Sequence, residues 1–112
     1  MPETVSNVIS KFSLQMKKLF GETLSKIIVY GSYARGDYKE NSDIDIMVLV
    51  KLSEAEIKKI ENDVYDIAFE FEMDTGIDIS PIIKSEAQYE YWVDVLPFYR
   101  NVKKEGIVVS GK

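Results

Sequence analysis

The chain has 112 residues, 46% apolar and 12% aromatic, with a formal charge of −5. That length predicts one domain over residues 1–112 with one core, and the acidic balance argues against nucleic acid as the main partner, since phosphate binding normally takes a basic face. The lack of cysteine and histidine excludes disulfides, thiolate metal sites, Ser-His-Asp and Cys-His catalysis and most zinc chemistry; with no leader pattern and no membrane-length apolar run, a soluble cytoplasmic protein is expected.

Residues 3–20 carry Val5, Val8, Ile9, Phe12, Met16, Leu19 and Phe20 at the helical period. Gly21 stands where a C-cap glycine belongs. Ile27–Tyr30 reads as a strand, being short, β-branched and stopped at Gly31-Ser32. Residues 32–36 predict a short helix, whose free N–H groups and partial positive charge suit phosphate. Glycine lets a phosphate approach the backbone, and Ser32 adds a hydroxyl donor. Gly36-Asp37 then turns the chain into a polar loop over Tyr38–Asn41.

A second strand runs from Asp43 to Val50. Asp43 and Asp45 alternate onto one face, roughly 6.5–7 Å apart at Cα. Two carboxylates so placed repel unless a cation sits between them. A hard divalent ion such as Mg2+ suits them, because it takes carboxylate oxygens and leaves positions for phosphate. The other reading is two solvated acids at a strand start. Ten residues separate Ser32 from Asp43, short for a parallel crossover. The two strands are therefore expected to be antiparallel, with Gly-Ser and the acid pair at one sheet edge.

Ser53–Asp74 is the longest predicted helix, opened by a Ser53/Glu56 capping box and ended by Gly76. Ile57, Ile60, Val64, Ile67, Ala68 and Phe71 form its buried stripe, with Glu61, Asp63, Asp66, Glu70 and Glu72 on the solvated face. Ile77–Ile83 reads as a strand that the intervening helix makes parallel to the second. Asp78 would then share the face of Asp43 and Asp45. Pro81 places this strand at an edge or a bulge. Ser85–Val93 and Leu96–Lys104 predict two short helices broken near Pro97. Their aromatic residues, Tyr89, Tyr91, Trp92, Phe98 and Tyr99, read as core or as an exposed docking surface. Gly106–Val109 closes as a last strand, and Ser110–Lys112 should fray. The expected class is α/β (α+β), a small mixed β-sheet packed with helices.

The stretch GSYARGDYKENSDIDI, residues 31–46, resembles the signature of the DNA polymerase β-like nucleotidyltransferase superfamily. Its spacing and the short chain are most similar to the minimal nucleotidyltransferase branch, often the antitoxin half of a two-gene pair with a HEPN-domain protein. That resemblance implies a polymerase β-like fold in which Asp43, Asp45 and Asp78 are catalytic and bind two Mg2+ ions. It implies that Asp78 accepts the proton of the acceptor hydroxyl and that Gly31 and Ser32 hold the triphosphate of ATP, the substrate. Arg35 reaches phosphate or the acceptor, or else pairs at the surface with Asp37 or Glu40.

The implied reaction is adenylyl transfer to a hydroxyl, a tyrosine of the HEPN partner, which silences that partner. Without histidine the chain cannot carry the HEPN ribonuclease motif itself. Too few residues follow Asp78 to form the helical domain that larger family members use to grip base and acceptor. Two other functions fit the same residues. One is neutralisation of the partner by occlusion without catalysis; the other is transfer to an aminoglycoside-like small molecule.

Overall fold

The computed structural model describes residues 1–111, ten short elements of which nine are helices and strands of the expected order. Helix α1 is Glu3–Phe20; it buries Val5, Val8, Ile9, Phe12, Met16 and Phe20, the predicted stripe, while Leu19 is only partly covered. Gly21 ends it at φ 57°, donating its N–H to the carbonyl of Lys17. One 3-10 turn, Gly21–Thr23, leads into strand β1, Leu24–Tyr30. Helix α2 is the single turn Ser32–Arg35, and β2 is Ile44–Val50.

Helix α3, Glu54–Thr75, starts at a complete capping box: the Ser53 hydroxyl accepts from the N–H of Glu56, whose carboxylate accepts from the N–H of Ser53. Gly76 ends it in the left-handed region, at φ 75°. The remaining elements are β3 (Ile79–Ser85), α4 (Glu86–Trp92), α5 (Pro97–Glu105) and β4 (Ile107–Gly111). No helix among the described residues is long and apolar enough to cross a membrane.

The four strands lie in the order β3-β2-β1-β4. Strand β1 runs antiparallel to β2 and β2 runs parallel to β3, as their connections require; β4 adds to the other side of β1, antiparallel to it. Pro81, which has no N–H to donate, sits on β3 at the sheet's edge. Several boundaries differ from expectation. Strand β1 begins at Leu24 rather than Ile27, because Leu24 pairs with Val50. Strand β3 runs from Ile79 to Ser85 rather than from Ile77 to Ile83, because its pairing with β2 starts where Ile44 faces Ile79 and ends where Val50 faces Ser85. Ser110 does not fray; it pairs with Ile27, while Lys112 lies outside the described residues.

Alternation along the strands divides the core in two. On one face Ile27, Val29, Ile44, Ile46, Val48 and Val50 pack against α1 and α3. Each such side chain, fully buried, contributes roughly 1.5–3 kcal/mol. On the other face Ile28, Met47 and Leu49 are covered by Tyr89, Val93, Tyr99 and Val102 of the α4–α5 corner. The aromatic cluster thus divides: Tyr89 and Tyr99 are core, whereas Tyr91, Trp92 and Phe98 are exposed.

Candidate active site

Register brings the predicted residues to one end of the sheet. Tyr30, the last residue of β1, pairs with Asp45 at the start of β2, and Asp45 pairs in turn with Ser80. Asp43 and Asp45, two apart, point to the face of Met47, as do Asp78 and Ser80 beside Ile82. The carbonyl of Asp78 accepts the N–H of Ile44 at 2.9 Å. That bond draws the third acid alongside the first pair although Asp78 precedes the strand.

Gly31 joins β1 to α2 at φ 74° and ψ −151°, a region open in practice only to glycine. Its backbone lies against Asp45: a Cβ there would stand 3.2 Å from the carboxylate carbon of Asp45 and closer to Oδ2. The α2 turn closes through Arg35 N–H to the Gly31 carbonyl at 3.0 Å. Beyond it the loop is shaped by Tyr33 stacked on Tyr38, with ring centroids 4.6 Å apart. The loop is then pinned where the N–H of Lys39 donates to the Ser42 hydroxyl at 2.8 Å and the N–H of Ser42 to the Lys39 carbonyl at 3.0 Å. Asp43 follows directly.

The electrostatics report a crowded set of acids. Desolvation first and the Asp78 carboxylate second raise the Asp43 carboxyl above its ordinary value, while the Ser80 hydroxyl lowers it. The Asp45 carboxyl is raised by partial burial and then by Asp43, with Arg35 acting in the opposite direction. Beside them the Tyr30 phenol is pushed up to about 12 by burial and then by Asp45. Its ring meets Phe98 edge-on, centroids 5.7 Å apart.

Arg35 is exposed and pairs with Asp37 at 3.2 Å and with Glu105 of α5 at 3.3 Å. The surface pairing foreseen with Asp37 is present, and its second acid is Glu105 rather than Glu40. Ser80, Tyr30 and Glu105 were not among the residues singled out in the sequence. Ser80 has a local signal, two positions beyond Asp78 on the same face; Glu105 has none, lying 70 residues from Arg35.

Carboxylates that repel one another, Asp43 and Asp78 among them open to solvent, form the donor set a hard divalent ion takes. Among the described residues no three acidic side chains converge as a ready-made cage. Magnesium does not ordinarily use such cages; it takes one or two carboxylates together with substrate phosphate and water. The residues present fit that pattern.

Comparison with known proteins adds the lineage. A candidate protein adenylyltransferase of Methanocaldococcus jannaschii is 33% identical over 95 residues, spanning 85% of this chain and 94% of its own. The protein adenylyltransferase MntA of Thermococcus cleftensis is 30% identical over 83 residues, spanning 74% and 77%. Among solved structures, a candidate nucleotidyltransferase from Sulfolobus solfataricus superposes with a TM-score of 0.57 at 22% identity, covering 95% of this chain and 79% of that one. A toxin–antitoxin complex with AMP-PNP superposes at 0.55 and 19% identity, covering 91% and 73%. Both share the fold, in agreement with the mixed sheet expected. The model of the nucleotidyltransferase domain matches residues 9–109, a span that contains the whole sheet edge described above, and the chain belongs to that nucleotidyltransferase-domain family.

Proposed function

We propose that this chain is a Mg2+-dependent protein adenylyltransferase that moves AMP from ATP to a hydroxyl of a partner protein. The partner we infer is a HEPN-type toxin, the acceptor a tyrosine, and the role that of an antitoxin. One observation carries the reading: Gly31 packs against Asp45 at the sheet end where Asp43 and Asp78 also stand. A phosphate-accepting backbone and a set of acids are thereby adjacent. The names of the relatives, protein adenylyltransferases, support the same class of reaction, and the toxin–antitoxin neighbour with AMP-PNP supports the role.

In the reaction the acceptor oxygen attacks the α-phosphorus of ATP, and the bond from that phosphorus to the bridging oxygen breaks. Pyrophosphate leaves with the electron pair. Asp78, exposed and beside Asp43, takes the hydroxyl proton. Gly31 and Ser32 would hold the triphosphate and Arg35 would add a positive charge, while Asp43, Asp45 and Asp78 would supply carboxylate oxygens to magnesium alongside the phosphates. Bound magnesium would supply charge neutralisation at the phosphates and a lowered pKa at the acceptor hydroxyl.

The test is calorimetric titration of Mg-ATP into the protein and into Asp43→Asn/Asp45→Asn. It is followed by mass spectrometry of the protein encoded beside it after incubation with both. Binding that needs Mg2+ and the acids, with one or more AMP groups on the partner, is the expected result. Neutralisation of the partner by Asp43→Asn as complete as by the natural chain would sink the catalytic reading in favour of occlusion.

A further inference from the structure

Helix α3 carries two apolar stripes, and only one of them faces the sheet. The second consists of Tyr65, Phe69 and Met73, which remain 42%, 60% and 68% exposed. Residues four apart on a helix stand one above the other, so these three make one continuous stripe. They lie away from α1, which meets the opposite flank of α3 through the Phe12–Phe71 ring contact and where Gln15 borders Ile67 and Asp74. Their own flank turns toward β3, the outer strand of the sheet, where Lys58 and Glu61 border Ile83 and Lys84.

Single exposed apolar residues are ordinary on any protein surface. An aligned Tyr, Phe and Met is different, because those types are enriched at the centres of interfaces. The charge around the stripe says what would cover it. Helix α3 contains eight acids and two lysines, a balance of −6, while the whole chain carries −5. Both lysines, Lys58 and Lys59, fall near its start, and from Glu61 onward every charged residue of the helix is acidic. At 100° per residue, Glu61 and Glu72 border the stripe on one side and Asp66 on the other, with Glu70 farther round, toward Gln15 of α1. Glu61, four residues before Tyr65 on the helix, stands against the stripe, and after partial burial it raises the Tyr65 phenol.

We propose that the Tyr65–Phe69–Met73 face of α3 docks a basic amphipathic segment of another protein. Apolar side chains of that segment would rest on the stripe, and its lysines and arginines would meet Glu61, Asp66 and Glu72. A second copy of this chain is disfavoured, since two helices of like charge would repel. An anionic lipid surface is disfavoured for the same reason. The inference makes no use of the aspartates at the sheet edge and stands apart from the transferase reading.

The test is fluorescence anisotropy with a labelled synthetic peptide of about eighteen residues, leucines on one helical face and lysine and arginine elsewhere. A scrambled peptide of the same composition controls for charge alone. The amphipathic peptide is expected to bind at least about tenfold more tightly than the scrambled one. Phe69→Ser/Met73→Ser, on a solvent face, should erase that preference without changing the melting temperature, and Asp43→Asn should leave it intact. Equal binding of the two peptides, or a preference that survives Phe69→Ser/Met73→Ser, overturns the proposal. So does sedimentation in which the natural chain dimerises and that variant does not.

Discussion

Gly31 and Asp45 interlock: the carboxylate of Asp45 fills the space that a Cβ on residue 31 would need. A positive φ of 74° bars side chains at the same position on independent grounds. Gly31→Ala therefore meets two costs, backbone strain and overpacking, together about 2–4 kcal/mol. Urea unfolding should report that loss as a lower midpoint. Calorimetry should report much weaker Mg-ATP binding, because the carboxylate must move aside. An unchanged midpoint would mean that the end of β1 relaxes freely.

Asp43→Asn separates chemistry from folding. The aspartate is solvent-facing and held close to Asp78, so its charge works against the fold in metal-free protein. Screening at so exposed a site limits the relief to at most about 1 kcal/mol. The variant should melt at or slightly above the natural chain without Mg2+, while AMP transfer falls by on the order of a hundredfold or more. Melting well below the natural chain would assign Asp43 a structural duty instead.

Arg35 offers a second separation. It pairs with Asp37 and Glu105, both partners exposed enough that each bond is worth little. If Arg35 turns to phosphate when nucleotide binds, Glu105→Gln removes a competitor. Mg-ATP affinity should then rise by up to about threefold, and Arg35→Ala should lower it. Titrations in which both variants match the natural chain would leave Arg35 as a surface link between α2 and α5.

How far the chain could be read in advance depended on whether the cause was local. The Ser53–Glu56 box opens its helix, and Gly21 and Gly76 end theirs, through bonds spanning three or four residues, and all three stand as expected. The Gly31 and Asp43–Asp45 spacing was equally legible, because strand direction followed from the short connection. The start of β3 was not, since Ile79 becomes strand only by meeting Ile44. Ser110 likewise owes its order to Ile27, far back in the chain. The Arg35–Glu105 pair joins residues brought together only by α5 packing beneath β1. The outer stripe of α3 escaped notice for another reason: the buried stripe already accounted for the helical period, and Tyr65, Phe69 and Met73 repeat at four beside it.

The capping box of α3 has a pH signature of its own. Hydrogen bonds from the Ser53 backbone and side chain hold the Glu56 carboxyl below its ordinary value of 4.5. A carboxyl lowered by folding adds stability that is present above its unfolded value. That stability disappears as pH falls through the lowered folded value. Glu56→Ala should thus melt below the natural chain at neutral pH by a constant few degrees. The gap should begin to close only under pH 4.5 and narrow further as acid protonates Glu56 in the natural chain. Ser53→Ala removes the hydroxyl cap itself and keeps part of its deficit in acid, because that bond to the N–H of Glu56 does not depend on the carboxylate. Thermal melts of the three proteins from pH 7 downward check both statements, and a Glu56→Ala deficit that is undiminished in acid would show that the box acts through packing rather than charge.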